Sequence, residues 1–262
     1  MTPGASAVAS PHPDWLVPDW SAPGIGALMT TRAGGVSRAP YDRMNLRFEV
    51  GDEPAAVQAN RDRLEAACGA RPVYLEQIHG ARVVRLHGVE PPDAPADASI
   101  TTEPGIACAV QVADCLPVLF AADGARAVGA AHAGWRGLAG GVLEATLAAL
   151  CDAAGCAPGQ VQAWLGACIG PARFEVGDDV RTAFGAPADA RATRHFRPAG
   201  APGKWLADLP GLARERLRAA GVERTSGGGW CTVEQASRFF SYRRVGVTGR
   251  MVAAVWIEPG RG

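Results

Sequence analysis

Apolar residues in this chain come in short runs punctuated by glycine, proline and acidic residues, and the runs crowd its middle third. Ile106 to Val112 reads as a buried strand leading straight to Cys115. The next two runs, Leu116 to Ala122 and Ala125 to Ala133, flank Asp123-Gly124. Asp-Gly between apolar segments predicts a two-residue hairpin turn, in which both central residues take positive φ. Ala122 would then face Ala125, and counting outward places Cys115 opposite His132. Direct cross-strand neighbours have Cβ atoms about 4.5–5.5 Å apart. Pro117 has no N–H to give a ladder, so it suits a strand start or an edge. Lying two residues into the run, it is expected to mark an edge that leaves one side of the pair open.

Elsewhere the pattern alternates between the two periods. Ile25 to Thr31 can form a strand, and Arg32 to Tyr41 is rich in turn residues. Pro54 suits a first helical turn, and Val57, Arg61, Leu64 and Ala67 keep helical spacing up to Gly69. Val73 to Leu75 and Arg82 to Leu86 read as short strands bracketing Glu76-Gln-Ile-His-Gly80. After Gly134-Trp-Arg-Gly137 a helix carries Val142, Leu143, Leu147 and Leu150 on its apolar face and ends near Gly155 and Pro158. A strand over Val161 to Ile169, a helix over Val176 to Phe184 and a loop over 185–204 follow. Asp208 caps a helix from Leu209 to Ala220, Trp230 to Tyr242 has no clear period, and Met251 to Ile257 is a final strand. No fixed repeat and no dividing linker interrupts this order. The expected architecture is a single layered α/β domain over residues 25–262 behind a loose, strap-like segment over 1–24.

Composition narrows the partners. Lys+Arg and Asp+Glu both number 26, so no net basic field argues for nucleic acid or an anionic membrane. The seven cysteines contain no C-x-x-C and form an odd set, the usage of a reducing compartment. Residues 1–24 lack the basic and apolar regions of a signal peptide, and no apolar run reaches the ~18 residues of a membrane helix. The expectation is a soluble, cytoplasmic protein; the sequence says nothing of its oligomeric state.

Several chemistries are excluded by their missing motifs. P-loop, full G-x-G-x-x-G and G-x-S-x-G patterns are absent. So are H-E-x-x-H and the zinc nucleobase-deaminase signature. What remains is His79, Cys115 and His132. A free Cys on a strand is ordinarily a small hydrophobe, and a lone His on an apolar face is ordinarily a hydrogen-bonded core residue. Their pairing across one hairpin favours a site. His79 is the natural third ligand, because Gly80 allows close backbone approach. Three protein ligands with an open fourth position is the catalytic zinc pattern. The same pair also suits a metal-free hydrolase with Cys115 as nucleophile and His132 as its base. The turn after His132 could present backbone N–H groups and Arg136 to a phosphate; ordinary strand-to-helix packing with a solvated Arg136 explains it equally well.

Longer motifs carry a resemblance. Met29-Thr-Thr-Arg-Ala-Gly-Gly-Val-Ser, Asn45-Leu46, Gln77-Ile-His-Gly, Ala96-Asp-Ala and Ala113-Asp-Cys-Leu-Pro stand in order. Ala131-His-Ala-Gly-Trp-Arg-Gly, Ile169-Gly-Pro, Phe174-Glu-Val and Phe239-Phe-Ser-Tyr-Arg-Arg continue the series. Together they resemble the YfiH-like laccase-domain family from about residue 25 to the C-terminus. The resemblance implies a layered sandwich of mixed β-sheets flanked by helices, α/β (α+β) in class. It implies a zinc-dependent purine nucleoside phosphorylase that cleaves adenosine, inosine or methylthioadenosine with phosphate to free base and ribose 1-phosphate. Adenosine deaminase activity accompanies this in the family, and some bacterial members are linked to editing of peptidoglycan precursors, a substrate class the Cys-His hydrolase alternative would share. The family's zinc ligands map onto His79, Cys115 and His132, the set also reached from spacing. Asn45 and Arg61 fall on the substrate side, joined by Arg136. Where relatives carry Gly-x-His before Val-Gly-Asp, this chain has Arg47-Phe48-Glu49, which removes any histidine role there. The family's older polyphenol-oxidase naming fits poorly. One blue-copper site would take two His and a Cys, and five histidines leave too few for a further copper cluster.

Overall fold

The computed structural model describes residues 10–185 and 193–259. In chain order these form β1 (Ile25–Met29), α1 (Pro54–Cys68), β2 (Arg71–Val73), β3 (Val83–Leu86), β4 (Ala98–Thr101), β5 (Ile106–Val112), β6 (Leu116–Ala122) and β7 (Val128–Ala133). There follow α2 (Trp135–Ala139), α3 (Val142–Ala154), β8 (Val161–Leu165), β9 (Glu175–Gly177), α4 (Asp178–Ala183), β10 (Phe196–Pro198) and β11 (Lys204–Ala207). The chain closes with α5 (Leu209–Ala219), β12 (Arg224–Gly227), α6 (Tyr242–Val245) and β13 (Met251–Ile257).

Period-two alternation sorts these strands into layers. Along β13, Met251, Ala253 and Val255 enter one core, while Val252, Ala254 and Trp256 enter another with Leu64 and Ala67 of α1. Along β6, Leu119 and Ala121 face the first of these cores, and Leu116, Val118 and Phe120 face a third with Leu143, Leu147 and Leu150 of α3. A four-stranded sheet, β1-β13-β5-β2, and a six-stranded sheet, β12-β8-β6-β7-β4-β3, therefore stack face to face, with α1 outside the first and α3 and α5 outside the second. Both sheets mix parallel and antiparallel pairs. This is the layered, helix-flanked sandwich that the resemblance implies. A small third sheet, β10-β11-β9, packs on the α3 side.

Several local expectations need correction. The hairpin between β6 and β7 is not two-residue: Ala122 N–H donates to Ala127 O, and residues 123–126 form the loop. Positive φ falls on Gly124 (73°) and Ala125 (52°) rather than on Asp123. Tertiary contacts take the loop's ends, since Arg224 binds Asp123 at 2.8 Å and Arg126 donates to Ala154 O and Gly155 O at the end of α3. The register shifts by two, so His132 faces Pro117. An even shift keeps every side chain on its face, whereas a one-residue slip would have turned them over. Cys115 and His132 thus become diagonal neighbours on the side facing the four-stranded sheet.

Pro117 does not mark an edge either, for β6 lies between β7 and β8. His132 N–H donates outward to Asp97 O, so nothing on β7 seeks a Pro117 N–H. On the other side Pro117 O accepts from Gly166 N–H where the β8 ladder ends. The proline occupies a strand start, the other position it tolerates. β4, rich in small and polar residues, was not expected, nor was β10 inside the expected loop or β11, which starts at its last residue; the 186–192 part of that loop lies outside the described residues. The expected 176–184 helix begins only at Asp178, because Glu175–Gly177 pairs with β11. Residues 10–24 are packed rather than loose. Trp15 and Leu16 are buried, Leu16 bridges Met29, and Gln162 Nε2 donates to Ser21 O.

Phe120 is fully buried on the central strand β6. Phe120→Ala is expected to cost about 3–5 kcal/mol of unfolding free energy, measured by urea denaturation. A loss below about 1 kcal/mol would mean that this face of β6 is not a closed core.

Candidate metal centre and its arginine-lined cavity

His79, Cys115 and His132 converge from three places in the chain. Each offers one donor atom, and the three donors lie within 4.8 Å of one another. His132 ends its strand and is buried, whereas His79 sits in the loop before β3 and is exposed. Cys115 follows Asp114, whose φ of 104° turns the chain sharply between β5 and β6. The Asp114 carboxylate holds that turn, accepting from Thr232 Oγ1 and Arg243 N–H, both at 2.6 Å.

One residue that sequence reasoning left without a role organises the centre. Asp97, completely buried just before β4, accepts from the backbone N–H groups of Ile78, His79 and Gly80 at 3.1, 2.8 and 2.7 Å. Its Oδ1 also lies 2.7 Å from His132 Nδ1. A carboxylate accepting at Nδ1 keeps the proton there and leaves Nε2 of His132 as a donor atom, an arrangement common behind metal-bound histidines. Gln77 pins the same loop to β5: its Nε2 donates to Gln111 O, and its Oε1 accepts from Gln111 N–H. The only signal in sequence was the Ala96-Asp-Ala motif, which identifies no partner.

Electrostatics follow from this geometry. Burial opposes charge on Cys115, but the adjacent His132, and then hydrogen bonds from both histidines, outweigh it and lower the thiol to about 6. Burial likewise opposes charge on His132, yet Cys115 and Asp97 raise it to about 9. For Asp97, burial is overcome by the bonds from His132, Gly80 and Ile78, which hold the carboxyl below its ordinary range. A deprotonated thiol beside two imidazoles is the donor set zinc takes. Cys115 Sγ and His79 Nε2 are 3.7 Å apart. Bonds of about 2.3 Å to sulfur and 2.05 Å to nitrogen at a tetrahedral angle require about 3.6 Å, so this pair is spaced for one ion.

The turn after His132 is explained by packing. A methyl group on Gly134 would lie 2.8 Å from His79 Cδ2 and 3.1 Å from Cys115 Sγ, so only glycine admits both donors over this backbone. α2 is a five-residue helix, too short for its N-terminus to be treated as an anion site. Arg136 does face the cavity outside the triad, with its guanidinium over the Trp135 ring at 4.3 Å. That cavity, of about 520 Å³, holds the triad together with Arg47, Arg136, Arg243 and Arg250. Trp135, Ile169, Phe174 and Tyr242 supply apolar walls.

The other two residues expected on the substrate side lie outside the cavity lining. Arg61 Nε donates to Leu46 O, and its guanidinium stacks over Tyr74 and Phe48 at 3.8 and 4.3 Å. Asn45 is fully buried, and its Oδ1 accepts from the N–H groups of Arg47 and Arg250. Arg47, at the position where the sequence departs from its relatives, is the residue of this loop that reaches the cavity.

Comparison with known proteins agrees in extent and fold. The family described as multi-copper polyphenol oxidoreductase laccase matches residues 26–258. A Pseudomonas aeruginosa protein named purine nucleoside phosphorylase is 49% identical over 246 residues, 93% of this chain and 98% of its own. The Escherichia coli purine nucleoside phosphorylase YfiH is 49% identical over 245 residues, 92% of this chain and 98% of its own. A Neisseria meningitidis crystal structure, 46% identical, superposes with a TM-score of 0.85 over 94% of this chain and all of its own.

Asp97→Asn keeps the side chain's size but exchanges one acceptor oxygen for a donor. Zinc affinity, measured by chelator competition, is expected to fall about ten- to a hundredfold while the protein stays folded. Unchanged affinity would show that His132 is oriented without Asp97.

Proposed function

The chain belongs to the laccase-domain family, and from that premise we propose that it is a zinc-dependent purine nucleoside phosphorylase. Its substrates would be a purine nucleoside, such as adenosine, inosine or methylthioadenosine, and inorganic phosphate. Its products would be the free base and ribose 1-phosphate. The observation that carries this reading is the meeting of a three-donor triad and four arginines in one cavity of about 520 Å³. A cavity of this size suits a small ligand. Similarity to relatives named purine nucleoside phosphorylase supports the substrate class.

Each part of the cavity has work to do in phosphorolysis. Phosphate brings negative charge, which the cavity's arginines can receive through charge-assisted hydrogen bonds. Flat purines favour aromatic and apolar walls, here Trp135, Phe174 and Tyr242. Zinc would be held by His79, Cys115 and His132, and when bound it supplies a Lewis-acid charge. Asp97 keeps the His132 proton at Nδ1, away from the cavity. Asn45 and Arg61 serve the site from behind, by fixing the loop that carries Arg47. Zinc suits the donors better than copper, because the other histidines are engaged elsewhere or stand apart. His195 lies between Asp208 and Glu215, His12 is in the strap, and His87 is exposed. A multicopper centre would need several more.

The low Cys115 thiol favours a second reading, a Cys-His hydrolase in which Cys115 attacks and His132 takes its proton. Metal content separates the two. Protein purified without chelator is expected to carry about one zinc per chain. Cys115→Ala should remove most of it, and full occupancy in that variant would sink the ligand assignment.

Phosphate dependence tests the reaction itself. Adenosine should yield adenine and ribose 1-phosphate only when phosphate is supplied. Inosine formed without phosphate would report the deaminase activity expected of the family. Adenine released equally fast without phosphate would overturn phosphorolysis, whatever the zinc content.

A further inference from the structure

Arg47 and Arg250 reach the cavity from two distant parts of the chain. One buried side chain joins them: Asn45 Oδ1 accepts from Arg47 N–H at 3.2 Å and Arg250 N–H at 2.9 Å. The amide of Asn45 is itself fixed, its Nδ2 donating to Arg47 O at 3.0 Å and to Asp52 Oδ2 at 2.9 Å. Leu46 N–H donates to Arg250 O, while Leu46 O accepts from Gln111 Nε2 and Arg61 Nε. The backbone N–H and C=O groups of both arginines and of Leu46 are therefore held by the fold.

The charge they bring is only partly balanced from within, by Glu49 at Arg47 and by Cys115 and Asp114 near Arg250. Arg250 is bent back onto Thr248 O and Gly249 O at 2.9 and 3.1 Å, which are neutral acceptors, and lies 5.8 Å from the Tyr242 ring centroid. Burial, and then the positive charge of Arg47, hold its guanidinium below the ordinary arginine range. Asp114, the one carboxylate lining the cavity among the described residues, already has its two oxygens on Thr232 and Arg243. Glu49 meets Nε of Arg47 at 3.3 Å and is largely exposed. Such exposed pairs stabilise little and are readily exchanged. Arg136 and Arg243 have other company: Arg136 stacks on Trp135, and Arg243 NH1 donates to Glu175 O. Two guanidinium groups repelling each other across a cavity wall are most stable with an anion between them. Planar, forked donors match phosphate oxygens in pairs.

We propose that Arg47 and Arg250 form the clamp that binds inorganic phosphate, and that Arg47 sets the protein's affinity for it. This rests on the phosphorylase reading and deepens it by placing the second substrate. It also gives Arg47, rather than Arg61, the direct contact with the anion.

The test compares wild type with Arg47→Ala and Arg47→Lys, using two independent readouts. Inorganic phosphate is titrated into the zinc-loaded protein by calorimetry. Initial rates are then followed against phosphate at saturating adenosine, and against adenosine at saturating phosphate. In Arg47→Ala both the phosphate Kd and the phosphate KM should rise about ten- to a hundredfold, the loss expected for a charge-assisted contact, with the adenosine KM little changed. Arg47→Lys should recover part of the loss, as a charge without the fork. Phosphate constants in Arg47→Ala within about twofold of wild type, or an adenosine KM rising in step with them, would overturn the clamp. Should Arg47→Ala fail to fold, Arg47→Gln carries the same comparison. Phosphate-independent release of adenine by wild type would defeat the phosphorylase reading, whereas the calorimetric titration would still decide whether Arg47 binds phosphate.

Discussion

The site depends on one buried carboxylate collecting four donors. Three successive N–H groups, of Ile78, His79 and Gly80, point at Asp97, and His132 Nδ1 completes the set. An isolated buried charge is costly, and its cost falls only when every oxygen is satisfied. The loop carrying His79 and the strand carrying His132 are thus held by one ion. The two histidines cannot be displaced separately without exposing an unpaired charge. Their rings meet edge to face with centroids 4.8 Å apart, a spacing that this shared anchor maintains.

From that anchor the layers extend in both directions. Cys115, just before β6, and His132, on β7, lie on the face toward the four-stranded sheet, at the end of the core the two sheets share. β5 enters the same region and is tied to the His79 loop by the reciprocal bonds between Gln77 and Gln111. Gly134 then lets the backbone pass beneath both donors. Only His132 stands on a strand; His79 lies in a loop and Cys115 in the turn before β6, so Asp97, the Gln77–Gln111 bonds and the Asp114 contacts are what fix those two donors. Donor positions are held closely only where such supporting bonds lock them.

The cavity above the triad is positively charged although the chain as a whole is neutral, with 26 basic and 26 acidic side chains. Fold topology concentrates the charge. Arg136 follows β7, Arg243 lies on α6, Arg250 precedes β13, and Arg47 comes from the segment before α1. Bulk composition therefore offered no argument for a polyanionic partner while saying nothing about a local anion site. Such focusing by a cleft is worth more than the same charges spread over solvent.

Read alone, the residues were enough to place Ile106–Val112 and Met251–Ile257 as strands, the helix opened by Pro54 and closed by Gly69, and Asp208 as a cap. Each of these is a local matter of period or terminus chemistry, and Asp208 Oδ1 does accept from Gly211 N–H. The set of His79, Cys115 and His132 was legible too, because parity survives a register shift of two. What tertiary structure decided lies beyond local pattern. Arg224 and Arg126 drew the Asp123-Gly124 turn into a four-residue loop, and Pro117 went to the start of a central strand because Asp97 takes the His132 N–H. Arg61 was drawn between Phe48 and Tyr74 and away from the cavity, leaving Arg47 to face it. The role of Asp97 could not be read from its motif, since its four donors come from two segments far apart in sequence. Such a carboxylate acquires its meaning only when folding brings those donors to it.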